Sequence, residues 1–396
     1  MFGIASIHRK GAAMFPYLGT MLALCCCFCS AALGEGSVSK ITLENYSDAE
    51  VVRYPVVLLR GRVEGGEDET VIVENFSSSL PSRITKTRMF GGRFKALMEL
   101  TEGVNHLSIA SGASRMDVTL LYRKSVNKRF VRLVFFTDSA DFGKNIEVPE
   151  EWLKDRRPGF QSNFSLESRL RTAALLWQTA TAERLYDAGY GRRTFTLETD
   201  SGGRVIVWKQ RGKKTREEYC SESNDERFYD IYNEIVSGPN FDKDACYFVL
   251  TAFGGKNEVY EQGRGSMALG ADNVAMLDAS AFFSCPEEIG DASEYFFDST
   301  PVSSRWARDS AYRNTRWALT ATTLGAGLHE LGHAFGLGHS TSPNDFMSRG
   351  FDRFNRIFTL IEPESALSRG GEFEDDSVVE WTSSTAPKLI RSLWIE

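Results

Sequence analysis

Short runs in which hydrophobic and polar residues alternate follow one another through the first third of the chain. Gly, Ser, Asp and Asn separate them at intervals of about ten residues. The runs are Tyr54–Val63, Thr70–Val73, Gly91–Leu100, Val104–Ile109 and Met116–Tyr122. Alternation with a period of two is typical of strands that bury one face. The pattern therefore predicts an antiparallel β-sandwich over residues 35–127.

From residue 128 onward, apolar runs alternate with segments of helical spacing. Apolar residues recur every three or four positions after Ser165, which can cap a helix, and again over Asp225–Val236. The strand candidates are Phe130–Phe136, Arg193–Leu197, Arg204–Trp208, Ala245–Thr251, Met267–Gly270 and Asn273–Leu277. Residues 286–316 are rich in Asp, Ser, Arg and Pro and are predicted to form a long loop. The arrangement favours an α/β domain over residues 128–396.

The stretch Leu328–His339 reads His-Glu-x-x-His-x-x-Gly-x-x-His and contains three of the five histidines of the chain. Thr322 or Thr323 can cap a helix that begins near Leu324 and carries the first two histidines. Histidines four positions apart project from one face of a helix and suit one tetrahedral zinc ion. The spacing therefore predicts a metal-binding helix.

Each fixed position of this motif has a chemical role. His329 and His333 are candidate zinc ligands, and Gly336 permits the positive φ that ends the helix and returns His339 as the third ligand. Glu330 lies about 100° around the helix from His329, beside the open position of the ion. A zinc ion lowers the pKa of its water, and Glu330 is the candidate general base that accepts the proton.

Met347, eight residues after His339, gives the motif its strongest resemblance. The histidine motif and Met347 together resemble the metzincin metallopeptidases. The short spacing between His339 and Met347 and the sequence His339-Ser340-Thr341 are similar to those of matrixins. The resemblance implies a twisted sheet, an active-site helix and a methionine turn with Met347 beneath the metal. No matrixin-type cysteine switch is present, and Arg349 stands where some metzincins place a tyrosine, so no tyrosine role is carried over.

A longer resemblance links the chain to a zinc metalloproteinase family known from fungi and other eukaryotes. The stretches Arg349–Asp352 and Phe354–Arg356 carry it. The metzincin resemblance also implies an edge strand that pairs with extended substrate, for which Met267–Leu277 is the candidate. Ala275, Met276 and Arg349 are the candidate substrate contacts. The N-terminal sandwich resembles immunoglobulin-like modules, which bind a glycan or a protein or brace their neighbour.

Composition changes the picture mainly at the N-terminus. The net charge of −7 and the absence of a long basic block argue against a nucleic-acid partner. Residues 1–34 have a basic start, a short apolar core and small residues at the end, as in a secretory signal peptide. They predict a secreted protein. The alternative is an uncleaved anchor over residues 12–34, which would make a type II membrane protein.

Removal of this leader leaves Cys220, Cys246 and Cys285, from which one disulfide and one free thiol are expected in a secreted protein. The pairing stays open. Three sequons predict a glycoprotein. They are at Asn45, Asn75 and Asn163.

The sequence as a whole predicts a zinc-dependent endopeptidase with one catalytic ion, acting on a protein or peptide substrate. Two alternatives remain. One is a zinc-binding recognition protein that is catalytically weak or inactive, and the other is a zinc amidase that acts on a non-protein amide.

Overall fold

The computed structural model describes residues 40–65, 69–80, 83–140, 165–252, 267–302, 309–374 and 377–396, which belong to one compact unit. The predicted leader over residues 1–34 and the sequon at Asn163 lie outside these ranges. None of the described helices combines the length and apolar character needed to cross a bilayer. Secretion, the alternative anchor and the domain division at residue 127 stay predictions.

The first sheet takes its strands from residues 40–122 and is curled. Its order is β1-β3-β6-β5-β4-β7-β8-β2, with every pair antiparallel except β2 with β8. The strands are β1 (Lys40–Leu43), β2 (Glu50–Val52), β3 (Val56–Glu64), β4 (Thr70–Asn75), β5 (Ile84–Phe90), β6 (Arg93–Glu99), β7 (Gly103–Ser111) and β8 (Ser114–Tyr122). The two halves of the sheet bury one core, to which Val57, Val71, Phe94, Ile109 and Leu120 contribute.

All five predicted runs in this region overlap a strand, but three strands were missed, namely β1, β2 and β5. The longest of these is β5. Its inward positions include Thr85 and Thr87, while Ile84 is 46% exposed on the outer face. The burial of β5 alternates, but its hydrophobicity does not, so the period-two signal is lost.

The second sheet has the order β10-β9-β11-β13-β12. Its strands are β9 (Phe130–Thr137), β10 (Val207–Arg211), β11 (Ala245–Thr251), β12 (Ala268–Ala271) and β13 (Val274–Asp278). All pairs are parallel except β12 with β13, which places the short antiparallel β12 at the edge. The prediction of a strand over Arg193–Leu197 is wrong, because only isolated bridges form at Phe195 and Leu197.

Helices cover both faces of this sheet. They are α1 (Leu166–Asp187), α2 (Arg216–Ser221), α3 (Asn224–Val236), α4 (Ala292–Phe296), α5 (Arg316–Ala334) and α6 (Ala386–Leu389). Ser165 caps α1 as predicted, by accepting a hydrogen bond from the backbone N–H of Ser168. α1 and α5 share one core with β9 and β11, and α3 packs on the opposite face. The chain is therefore a mixed α/β structure.

Two predictions about the approach to the histidine motif are wrong. α5 begins at Arg316, with Thr315 as the N-cap residue, so Thr322 and Thr323 lie inside the helix. The first turns of α5 are buried on all sides and show no amphipathic period that would mark their start. The predicted loop over residues 286–316 contains α4, whose five residues are too few for a periodic signal.

A buried carboxylate joins the first sheet to α1. Glu183 of α1 is only 1% exposed, and its two carboxylate oxygens accept hydrogen bonds from four side chains. The donors are Tyr46 Oη (2.8 Å), Tyr54 Oη (3.2 Å), Asn45 Nδ2 (3.0 Å) and Arg192 Nε (2.9 Å). Arg60 Nη2 lies 3.3 Å from the same carboxylate. Because α1 also packs against the second sheet, Glu183 fixes the position of one sheet relative to the other.

None of the three cysteines in the described residues is in a disulfide, so the expected disulfide is absent. Cys246 lies on β11 and Cys285 follows β13 and a short 3₁₀ turn, and both are fully buried. Burial raises the pKa of the Cys285 thiol to about 12. These cysteines therefore pack as small apolar side chains.

Two of the three predicted glycosylation sites are buried. Asn45 Nδ2 donates hydrogen bonds to Leu58 O at 2.7 Å and to Glu183, and Asn75 Nδ2 donates to Asn105 Oδ1 at 2.9 Å. A glycan is attached through this same nitrogen. Neither amide has room for a sugar in the folded chain.

We therefore expect the folded protein to carry no glycan at Asn45 or Asn75, even when it is expressed through a secretory pathway. Peptide mass mapping of the soluble, monodisperse fraction measures this, with the aggregated fraction as the control. Stoichiometric glycan at either residue in the folded fraction would contradict the structure.

Candidate metal centre

The three histidines of the motif converge at the C-terminal end of α5. His333 Nε2 lies 3.1 Å from His329 Nε2 and 3.2 Å from His339 Nε2. Each ring offers one ligand atom, and these atoms lie within 4.8 Å of one another. Three nitrogens that face one point in this way match the donor set of a catalytic zinc site, which leaves a fourth position open.

Backbone carbonyls fix the orientation of the first two rings. His329 Nδ1 lies 2.6 Å from Phe346 O, and His333 Nδ1 lies 2.9 Å from Leu337 O. A carbonyl oxygen only accepts hydrogen bonds, so each Nδ1 carries the proton and each Nε2 keeps its lone pair. Metal-binding histidines are held in this way by a hydrogen bond on the other ring nitrogen. The observed contacts therefore fit a bound metal ion.

Burial keeps these rings neutral. Desolvation lowers the pKa of His329 to about 4 and also lowers the pKa of His333. The neighbouring histidines shift both pKa values in the same direction. A neutral imidazole is the form that binds a metal, so His329 and His333 need not lose a proton near pH 7.

The turn after α5 both ends the helix and orients a ligand. Gly336 has φ +93°, and its N–H donates to His333 O at 2.9 Å. The N–H of Leu337 donates to Gly332 O at 2.9 Å, which completes a Schellman cap. The carbonyl of Leu337 then accepts from His333 Nδ1. One turn thus closes the helix, reverses the chain toward His339 and holds the ring of His333.

Met347 lies directly beneath the helix that carries the histidines. It is fully buried, and a side chain at Gly332 would overlap its Sδ. The carbonyl of Met347 accepts from the N–H of Ser340 at 2.7 Å. The segment that follows His339 is therefore tied to the residue that packs under α5.

A buried aspartate holds the turn that contains Met347 in place. Asp345 is fully buried, and its Oδ1 accepts from the N–H of Met347 at 2.8 Å. Its Oδ2 accepts from the hydroxyl of Thr385 at 2.7 Å and from that of Thr382. Sequence reasoning missed Asp345, because an aspartate in a polar loop gives no sign that its partners lie about forty residues later. The network fixes the turn that contains Met347.

Glu330 lies next to the ligands and is 7% exposed. Burial raises the pKa of its carboxyl to about 8. A cation within about 4–6 Å favours the carboxylate and opposes this shift. The position suits a group that exchanges a proton near neutral pH.

The structure corrects the predicted edge strand. Ala275 and Met276 lie on the inner strand β13 and are fully buried, so they face the core rather than a substrate. The edge position belongs to β12, within the N-terminal half of the predicted range Met267–Leu277. The sequence predicts the two strands separately but not which of them lies at the edge, because the order of a sheet depends on distant pairings.

Arg349 is exposed, but its charge is already paired. Its guanidinium bonds to Asp309 at 2.8 and 3.0 Å and to both carboxylate oxygens of Asp352 at 2.9 Å. Phe351, two residues further on, places its ring centroid 5.0 Å from that of His329. An aromatic ring therefore borders His329, and the Arg349 guanidinium lies 4.8 Å from the centroid of that ring.

A mixed α/β chain that brings together two histidines of a capped helix and a third from the segment after it has the donor set of a metal-dependent hydrolase. Residues 40–388 match the model of the "Putative peptidase family". The chain belongs to this family. The predicted relationship to a zinc metalloproteinase family is confirmed at this level.

Two curated relatives carry the same description, "Putative zinc metalloproteinase". The protein of Schizosaccharomyces pombe is 27% identical over 353 residues, which is 83% of this chain and 55% of the relative. The protein of Saccharomyces cerevisiae is 26% identical over 303 residues, 69% of this chain and 42% of the relative. The chain thus spans about half the length of the curated relatives it matches.

Among solved structures, the chain is similar to OgpA from Akkermansia muciniphila. A catalytically inactive form of OgpA in complex with an O-glycopeptide substrate matches with a TM-score of 0.37 and 18% identity, covering 58% of this chain and 56% of that one. Wild-type OgpA matches with the same TM-score and 17% identity, over 66% and 64%.

Proposed function

We propose that the chain is a zinc-dependent endopeptidase of metzincin type. His329, His333 and His339 hold the ion, and Met347 forms the floor of the site. The observation that carries the proposal is the convergence of the Nε2 atoms of the three histidines. In His329 and His333, the other ring nitrogen, Nδ1, donates a hydrogen bond to a backbone carbonyl. The description of the curated relatives supports it.

A zinc ion held by these three histidines would supply a water of lowered pKa and would polarise the carbonyl to be attacked. Glu330 accepts a proton from this water and passes it to the leaving amine. The buried surroundings of Glu330 keep bulk water away from the proton it carries. The extended substrate pairs its backbone with the edge strand β12.

The test combines metal analysis with cleavage-site profiling on a peptide library. We expect about one zinc per chain and cleavage that a chelator abolishes and added zinc restores. His333→Ala should lose both zinc and cleavage. The matched control is His106→Ala, because His106 is exposed on β7 and outside the cluster.

The alternatives give different results. Zinc without cleavage of any peptide would indicate a recognition protein. Zinc-dependent hydrolysis confined to non-protein amides would indicate an amidase. A protein that binds no zinc would contradict the proposal.

A further inference from the structure

The edge strand β12 touches the metal-binding helix at a glycine. A methyl group at Gly270 would overlap the carbonyl oxygen of Glu330 and lie 2.9 Å from the Cβ of His333. Both contacted residues belong to the site itself. Any side chain at position 270 therefore forces β12 away from α5 at the level of the histidines.

The backbone of the same residue points toward the edge at which no described strand pairs with β12. Gly270 pairs with Ala275 across the β12–β13 ladder. The N–H of Asp278 donates to Met267 O at 2.9 Å, which makes these two a hydrogen-bonded pair. Because such pairs alternate along an antiparallel ladder, Gly270 with Ala275 is a non-hydrogen-bonded pair. The N–H and C=O of Gly270 therefore face away from β13.

The turn that precedes β13 gives the strand little freedom to compensate. Asp272 and Asn273 have φ of +47° and +62°, as in the tight two-residue turn of a hairpin. The side chain of Asn273 also donates to Ala245 O of β11 at 3.1 Å. A displacement caused at Gly270 is therefore transmitted along β12 rather than absorbed by the turn.

We propose that Gly270 is a positioning residue that sets the distance between an extended peptide on β12 and the histidine site. Because glycine has no side chain, β12 can approach α5 closely at this residue. The N–H and C=O of Gly270, which face away from β13, pair with the peptide backbone. The role rests on the proposed peptidase function. In this role, β12 recognises the extended backbone of the peptide rather than a particular side chain.

The test compares Gly270→Ala with Gly290→Ala, since a methyl group at Gly290 meets no atom within 4 Å. The substrates are a peptide spanning a cleavage site mapped in denatured casein and a truncated form that ends before it reaches β12. For Gly270→Ala we expect kcat/KM on the long peptide to fall about 100-fold, as for a displacement of about 1 Å. Because the truncated peptide does not reach β12, its kcat/KM should fall less than that of the long peptide, with zinc content unchanged.

An equal loss on both peptides, a loss of zinc, or no loss at all in Gly270→Ala would overturn the positioning role while leaving the proposed function intact. A wild-type protein that cleaves no peptide would remove the proposed function and this role with it.

A second measurement does not depend on the variant folding. Peptides carrying a single backbone N-methyl group are tested on the wild type. We expect kcat/KM to fall only for methylation at alternate positions, because only alternate residues of a strand bond to a given neighbour. Uniform tolerance of N-methylation would overturn the proposal.

Discussion

Glu330→Gln is expected to lower kcat for peptide hydrolysis by about 100- to 10,000-fold, the usual contribution of a general acid–base group. Glutamine has nearly the same shape but neither accepts nor returns the proton. The rings of His329 and His333, two of the proposed metal ligands, are oriented by Phe346 and Leu337 rather than by Glu330. Zinc content should therefore be unchanged, as measured by metal analysis beside steady-state kinetics.

Glu217→Gln is a suitable control, because Glu217 is exposed on α2 on the far face of the second sheet. It should behave like the wild type. A Glu330→Gln protein that keeps more than about a tenth of the wild-type kcat would exclude Glu330 as the general base. Loss of zinc in this variant would instead assign Glu330 a structural role.

Glu183→Ala is expected to reduce the free energy of unfolding by about 3–5 kcal/mol. The substitution leaves Arg192 partly buried without one of its carboxylate partners, and it also removes the acceptor of two buried tyrosine hydroxyls. Removing one partner of a buried pair costs far more than the net contribution of the pair. Urea denaturation followed by tryptophan fluorescence measures the change.

Asp187→Ala provides the comparison, since Asp187 pairs with Arg60 at the protein surface. Exposed pairs contribute about 0.2–1 kcal/mol. If both variants lost the same small amount of stability, Glu183 would not be the link between the first sheet and α1.

Much of the fold was predictable wherever one short segment contains its own signal. Ser165 as a cap and the apolar strand over Ala245–Thr251 are local features, and both were located correctly. The threonines inside β5 show the limit, because their burial is decided by strands that lie on either side of them. The start of α5 was missed for a similar reason, since a helix buried on all sides has no polar face.

The candidate site likewise contains some residues that the sequence predicts and others that it does not. The histidine spacing and Gly336 are set by the geometry of one helix and its cap, so the motif alone predicts their convergence. Asp345 and Gly270 act through residues far away in sequence. Their roles follow from the packing of β12 against α5 and from the bonds of Thr382 and Thr385 to Asp345.

The bonds from Thr382 and Thr385 to Asp345 also impose an order on how the site is made. These hydroxyls come 37 and 40 residues after the aspartate they hold. A ribosome releases the chain from its N-terminus onward. The histidines and Met347 therefore emerge before the residues that fix the turn beneath them. The nascent chain therefore exposes all three histidines before the turn that contains Met347 is fixed, and the complete site forms only after Thr385 has been synthesised.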